Sequence, residues 1–169
     1  MEEAYLHLLE KIINSNDDVV TFLHNTHSAS VAKKIMTQGF EFQSHLDYTT
    51  DVVSAKDPVT IKYFTIVRQA YGNFTVIIQI SKAIIEDYAA KIRKKNHHFS
   101  EVLSIKPPFM GLEDELVYCL APHFVKGYID ACNQLFYQNP KFNPSLKLPI
   151  FESNLKQILK EKEDNNTRR

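Results

Sequence analysis

The sequence predicts an α+β domain, in which strands and helices mix without regular alternation. The chain has 169 residues, enough for a single domain with a substantial core. Apolar residues recur at helical spacing in several segments, and the run Phe74–Ile80 is apolar and β-branched almost throughout. Because these patterns do not form successive β-α-β units, an α+β fold is favoured over a parallel α/β sheet.

The composition gives no sign of a global attraction to polyanions or membranes. Twenty Lys and Arg residues balance twenty Asp and Glu residues, so no net field points to nucleic acid. The two cysteines, Cys119 and Cys132, form neither a C-x-x-C pair nor a ligand cluster, which favours a reducing compartment. The N-terminus is acidic, unlike a secretory signal, and no apolar run reaches membrane-span length. We therefore expect a soluble, cytoplasmic protein without a membrane partner.

The elements of the first half are predicted from apolar spacing and from capping residues. Apolar side chains at 2–14 indicate a helix, and Val19–Leu23 indicates a short strand that ends at His24-Asn25-Thr26. Ser28 or Ser30 can cap a second helix, which Gly39 closes where a C-terminal cap favours glycine. Further elements follow as a loop around Tyr48–Asp51, a helix opened by Asp57-Pro58, and the central strand Phe74–Ile80.

The second half is predicted in the same way. Ser81 is placed to cap a helix that runs to about Lys95, and Ile105–Gly111 is rich in proline and indicates a surface loop. An acidic cluster then heads a strand beginning at Glu115, and Phe124–Ile129 adds another. The remaining predictions are an extended segment at 138–149, a last helix at 151–163 and a frayed end at 164–169. We assign residues 1–150 to the domain and 151–169 to a C-terminal helix and tail.

Three separated pieces of the sequence are similar to one family, the NAD-dependent ADP-ribosyltransferases. The first is F-L-H-N-T at 22–26, followed by a helix and Gly39. The second is Y-T-T-D-V-V-S at 48–54, with Tyr63 further on, and it resembles the tyrosine segment of the His-Tyr-Glu branch. The third is the strand at Glu115 with the strand that follows it. The pieces stand in the order of the family and span residues 19–130, so the resemblance implies a split mixed β-sheet or β-sandwich with flanking helices.

The resemblance implies that NAD is the substrate and assigns the first strand to its recognition. His24 would hydrogen-bond the ribose of NAD, while Thr26 and the backbone near Asn25 would fix the nicotinamide amide. The sequence departs from the family at Asn25, where glycine is usual, and a side chain there could crowd the nicotinamide. A neutral imidazole offers one donor and one acceptor, which suits a sugar hydroxyl.

The same resemblance implies which residues contact the nicotinamide ring and which residue is the catalytic glutamate. Tyr48 would stack on the ring, Tyr63 would close its other face, and Thr50 would lie beside it. Glu115 would be the catalytic glutamate, because smaller bacterial-type members often have glutamate directly before the apolar pair. Polymerase-like members place it one residue further away, which would select Asp114 instead. Adjacent strand residues face opposite sides, so only one of the two can enter a cleft.

The implied function is transfer of ADP-ribose from NAD to an unknown acceptor, a protein or a nucleic acid, or to water. The alternative is a binding module that keeps the fold without the chemistry. Two histidine pairs, His24-x-x-His27 and His97-His98, lack acidic or cysteine partners at ligand spacing, so no metal site is predicted. The local basic run at 91–98 ordinarily complements a helix dipole, which is the interpretation we favour. The second interpretation is a phosphate contact, to a nucleic-acid target or to the pyrophosphate of NAD.

Overall fold

The computed structural model describes residues 2–13, 18–43, 53–54 and 72–161. Within these ranges the α-helices are α1 (Glu2–Ile13), α2 (Ala29–Gln38), α3 (Lys82–Lys91), α4 (Phe99–Val102) and α5 (Pro149–Lys160). The strands are β1 (Val19–Thr26), β2 (Phe40–Gln43), β3 (Val53–Ser54), β4 (Phe74–Ser81), β5 (Phe109–Met110), β6 (Leu116–Leu120), β7 (Val125–Asp130) and β8 (Leu135–Gln138). Short 3-10 helices at Leu112–Asp114 and Pro122–Phe124 precede β6 and β7.

The described strands form two antiparallel sheets. The larger has five strands in the order β3-β1-β4-β7-β8, and the smaller has three in the order β2-β6-β5. β4 occupies the centre of the larger sheet, as its continuous apolar run predicted. Every pairing among the described strands is antiparallel, whereas the family resemblance implied a mixed sheet. The α+β class is confirmed.

The larger sheet is covered on both faces, which explains why β4 lacks an alternating pattern. On one face α1 buries Tyr5 and Leu9 against Leu23 of β1 and Ile77 of β4. On the opposite face, the main core joins these strands to α2, α3, α5 and the smaller sheet. The two buried faces hold the sheet between α1 and the rest of the domain.

Helix α2 has the predicted caps. Of the two candidate serines, Ser28 is the N-cap, and its side chain accepts a hydrogen bond from the backbone N–H of Val31 at 3.3 Å. Gly39 ends the helix with a φ of 102°, and its N–H donates to the carbonyl of Ile35. These caps fix the direction in which the chain leaves β1 and enters β2.

β1 ends at Thr26, within the segment at which the strand was predicted to end, and all eight of its residues pair with β4. The predicted end of the helix after Ser81, near Lys95, is wrong. The helix ends at Lys91 because the chain turns after Ile92, where the N–H of Lys95 donates to the carbonyl three residues earlier and not four as in an α-helix. Ser81 occupies the N-cap position without a side-chain bond to the helix.

Five short elements were not predicted: α4, β2, β3, β5 and β8. β5 lies inside the predicted loop Ile105–Gly111 and pairs with β6 for only two residues. The predicted helix at Asp57-Pro58 and the frayed end at 164–169 lie outside the described residues.

Helix α5 packs into the main core through Phe151, Leu155 and Ile158. It begins at Pro149 and therefore crosses the boundary that the sequence suggested at residue 150. Phe151 is fully buried and stacks on Phe124 with ring centroids 5.9 Å apart. None of the helices in the described ranges combines the length and apolar character needed to traverse a bilayer.

Candidate functional site

His24 lies near the end of β1, where the larger sheet meets the start of the smaller one. It pairs with Val76 of β4 and is half-buried. Its ring centroid is 4.9 Å from that of Phe40, the first residue of β2, with the ring planes inclined at 53°. This contact positions the imidazole at the junction of the two sheets.

Asn25 presents its side chain to the opposite face of β1. Its Oδ1 accepts a hydrogen bond of 2.7 Å from the hydroxyl of Thr75, its neighbour across the ladder. The hydroxyl of Tyr5 on α1 lies 2.6 Å from the same Thr75 oxygen. Because neighbouring residues of a strand face opposite sides, the Asn25 amide is directed to α1 and away from the His24 imidazole. Asn25 is therefore a polar tie between the sheet and α1.

Thr26 ends β1 two residues before Ser28, the N-cap of α2. Its side-chain oxygen accepts a long hydrogen bond of 3.4 Å from the backbone N–H of Ser28. The residue is half-buried. Thr26 thus lies at the turn between the strand that carries His24 and the helix that borders the neighbouring cavity.

An open cavity of about 370 Å³ lies beside His24. It is formed by one side of α2, the beginning of β2 and the end of β6, and Lys106 lies at its border. The lining residues are His24, Val31, Lys34, Ile35, Gln38, Gly39, Phe40, Glu41, Lys106 and Cys119. The cavity thus combines an imidazole and an aromatic ring with two ammonium groups and one carboxylate.

Gly39 brings α2 and β6 close together at this cavity. A Cβ atom at this position would lie 2.3 Å from the carbonyl oxygen of Leu120 and 2.9 Å from the sulfur of Cys119. The φ of 102° is also one that residues with a side chain rarely adopt. Glycine is required here for both reasons, and the cavity depends on it.

Cys119 lines the cavity with a buried thiol. Its Sγ donates to the carbonyl of Gln38 at 3.4 Å. Burial raises the pKa of the Cys119 thiol, and the nearby carboxylate of Glu41 acts in the same direction, while Lys106 opposes it. The thiolate is the nucleophilic form of cysteine, so the site does not favour nucleophilic chemistry at Cys119.

Glu115 lies immediately before β6, in an extended conformation with φ −104° and ψ 142°. It is half-buried, and its carbonyl accepts a 2.8 Å hydrogen bond from the N–H of Gly111. By strand alternation it shares a face of the smaller sheet with Val117 and Cys119. The backbone between Glu115 and Cys119 spans about 13 Å of extended chain. Glu115 is not one of the residues that line the His24 cavity.

Asp114, the other candidate acid, has a different environment. It ends the 3-10 helix with a φ of 57°, in the left-handed region, and it is exposed. A non-glycine residue is uncommon in this region, although aspartate tolerates it better than most. The change in backbone conformation between Asp114 and Glu115 separates the directions of their side chains.

The structure describes only part of the predicted NAD site. His24, Asn25, Thr26 and Glu115 lie within the described residues, and His24 and Glu115 are near opposite ends of the β2–β6 pair. Tyr48, Thr50 and Tyr63 lie outside the described residues. Lys34, Glu41 and Lys106 carry no signal in the sequence as site residues, because they come from separate segments that only the fold brings together.

A second polar cluster occupies a smaller cavity of about 140 Å³ on the opposite face of β6. Here Glu101 accepts hydrogen bonds from the hydroxyl of Tyr118 at 2.8 Å and from the backbone N–H of His98 at 2.8 Å. His97 places one ring nitrogen on Glu101 and the other on Glu161. His98 is the N-cap of α4 and forms a capping box with Glu101. The spacing His98-x-x-Glu101 is the signal that could have indicated this cap from the sequence.

These contacts give the pair His97-His98 a structural role. The described ranges contain no group of three or more His, Cys, Asp or Glu side chains arranged to hold a metal ion. His97 instead links α4 to the end of α5 through two carboxylates, and His98 satisfies a helix terminus.

Comparison with known proteins gives no match. No protein-family model matches the sequence, and neither a curated protein nor a solved structure does so.

Proposed function

We propose that this protein is an ADP-ribosyltransferase that cleaves the bond between nicotinamide and ribose in NAD. The observation that carries the proposal is the cavity beside His24, at the junction of the two sheets, in which an imidazole, an aromatic ring and two lysines converge. The sequence resemblance independently assigns His24 to the same dinucleotide. The acceptor of ADP-ribose is a macromolecule of unassigned class, or water.

The charges in the cavity suit a dinucleotide. Lys34 and Lys106 both line it, and together they supply positive charge for the pyrophosphate of NAD. Glu41 is the one carboxylate among the lining residues and can accept a hydrogen bond from a ribose hydroxyl. In this arrangement His24 contacts the ribose nearest the sheet junction.

Asn25 is compatible with this proposal. Its side chain is held by Thr75 on the α1 side of the sheet, so it does not occupy the face on which His24 lies. The face of β1 that carries His24 is therefore not crowded by the Asn25 side chain, although the family usually has glycine at this position.

Glu115 is proposed as the catalytic carboxylate, which stabilises the developing charge and then acts as a general base. As the glycosidic bond breaks, its electron pair leaves with nicotinamide, and positive charge develops on the ribose as in glycoside cleavage. A carboxylate near the ribose hydroxyls stabilises that charge. The acceptor then donates an electron pair to the anomeric carbon, and its proton passes to Glu115. Assistance of this kind contributes about 10²–10⁴-fold to the rate.

A non-catalytic binding module is the second candidate. The observation that favours it is the position of Glu115 outside the set of residues that line the His24 cavity. Such a module would use His24, Lys34 and Lys106 to bind a nucleotide without positioning an acid against the ribose.

Two measurements on the same protein separate these candidates. Calorimetric titration with NAD tests binding, and release of labelled nicotinamide tests chemistry. Lys34→Gln and Lys106→Gln should each weaken NAD binding by about two- to fivefold, the effect of one exposed charge contact. Lys33→Gln is the matched control, because Lys33 is the adjacent, exposed lysine of α2 and does not line the cavity. If the protein binds NAD but releases no nicotinamide, the binding module is the candidate that remains. If it does not bind NAD, the proposal is contradicted.

A further inference from the structure

A second open cavity, of about 360 Å³, lies where the chain leaves α3. Its lining residues are Ala90, Lys91, Arg93, Lys94, Lys95 and Leu159. We call the four cationic residues among them the basic surface. The protein as a whole has a formal net charge of zero, so the basic surface is a local excess of positive charge on a neutral protein.

Ordinary structural roles account for two of the four cations. Lys91 forms an ion pair of 3.2 Å with Asp87, one helical turn earlier. Lys95 donates a 2.7 Å hydrogen bond to the carbonyl of Glu161 at the end of α5. Asp87 also contacts Lys147 at 2.8 Å, and hydrogen bonds to Lys147 and Lys91 lower the pKa of the Asp87 carboxyl.

The other two cations, Arg93 and Lys94, are not explained in this way. Both are exposed, and neither forms an ion pair with a carboxylate in the described part of the chain. They directly follow the C-terminus of α3 at Lys91, where the helix dipole favours a cation by only about 0.3–1 kcal/mol. This weak attraction leaves the charges of Arg93 and Lys94 available to a ligand.

Helix α5 extends the positive charge. Leu159 brings one side of α5 to the cavity, and Lys156 and Lys160 are exposed residues of the same helix, three positions before and one after it. Residues three or four apart on a helix are neighbours on its surface, so Lys156 and Lys160 lie side by side. The carboxylate bordering this region, Glu161, is bonded to His97.

We propose that the basic surface binds the phosphate backbone of a single-stranded nucleic acid. Several cations around a concave site suit a ligand that carries one negative charge per unit along a flexible chain. Leu159 is 45% exposed at the same site and offers an apolar contact to a base or sugar. A lipid surface would instead be matched by a flat basic face with apolar side chains that insert into the bilayer. The proposal concerns binding alone and does not depend on the NAD chemistry.

The test measures binding of a fluorescent single strand of about 20 nucleotides, longer than the usual site of one binding module. Fluorescence anisotropy is recorded without NAD, at salt concentrations from about 50 to 200 mM. Arg93→Gln with Lys94→Gln should weaken binding and make the negative slope of log K against log salt shallower by about 1.4. This is the value for two phosphate contacts to a single strand. The matched control is Lys11→Gln with Lys141→Gln, which removes two exposed lysines from other elements. Arg93→Lys with Lys94→Arg retains the charge and should retain the slope.

The proposal is supported if the affinity for the single strand falls in the Arg93/Lys94 double variant and not in the Lys11/Lys141 double variant. Equal losses in both pairs, or no binding by the unmodified protein at the lowest salt, would overturn it. A duplex of the same sequence and vesicles containing phosphatidylserine complete the comparison. Preference for either of these over the single strand would also overturn it.

Discussion

The Nδ1 atom of His97 lies 2.8 Å from a carboxylate oxygen of Glu101. The same oxygen accepts the hydroxyl of Tyr118, and the second ring nitrogen of His97 contacts Glu161. His97 and Glu101 together therefore link α4, β6 and the end of α5. Although burial alone lowers the pKa of His97, the hydrogen bonds to Glu101 and Glu161 outweigh it and raise the pKa above its ordinary value.

This raised pKa predicts a pH-dependent stability. Protonated His97 is favoured in the folded protein, so its contribution to the free energy of unfolding is complete below the ordinary pKa of 6.5. The contribution is lost as the pH rises through the higher folded pKa. Urea unfolding across this interval should show stability falling with increasing pH. His97→Gln should flatten the dependence, and an unchanged profile in that variant would assign the pH effect to other groups.

Asn25→Gly is predicted to change stability more than NAD recognition. The substitution removes the hydrogen bond from Thr75 and places glycine within β1. The two effects together should lower the free energy of unfolding by about 2 kcal/mol. NAD affinity should stay the same, because the lost amide faces α1. A gain in affinity or in nicotinamide release would show that the Asn25 side chain crowds the site.

The two cysteines are predicted to differ in reactivity. Cys119 is 2% exposed and burial raises its thiol pKa, whereas Cys132 is exposed. Alkylation by iodoacetamide, followed by peptide mass spectrometry, should modify Cys132 faster by at least about tenfold, as expected for an exposed against a buried thiol. Comparable rates at the two cysteines would mean that the His24 cavity opens to solvent more widely than described.

Phe151→Ala tests whether α5 belongs to the domain. The side chain is fully buried against Phe124, so the substitution should cost about 3–5 kcal/mol. Ile150→Ala is the control, since Ile150 is exposed in the same turn and should change stability by less than about 0.5 kcal/mol. A small effect of Phe151→Ala would indicate that α5 is dispensable for folding.

Local signals in the sequence were sufficient for much of the fold. The spacing of apolar residues predicted α1, and the continuous apolar run predicted that β4 is central. The two ends of α2 were predicted from the candidate cap serines and from Gly39. Polar residues at a strand end carry no periodic signal, so the sequence located the end of β1 only to within His24-Asn25-Thr26. The end of α3 at Lys91 was missed because lysine and arginine have high helix propensity, and no glycine or proline marks the turn after Ile92.

The candidate site was less predictable than the fold. His24 was found because a short motif places it at the end of a strand and before a helix. Lys34 and Lys106 are 72 positions apart in the sequence, and their shared cavity depends on the pairing of β2 with β6. Glu41 and Cys119 face each other directly in that pairing. No local pattern encodes a contact of this kind, because it depends on the packing of distant segments.

Nicotinamide release by Glu115→Gln, compared with Asp114→Asn, decides whether Glu115 is the catalytic carboxylate. The two substitutions remove one charge each from adjacent residues that differ in backbone conformation. We expect the unmodified protein to release nicotinamide and Glu115→Gln to lower the rate by at least about 100-fold with NAD affinity kept. Asp114→Asn should stay near the unmodified rate. No release from the unmodified protein while NAD is bound, or inactivation by Asp114→Asn alone, would contradict this expectation.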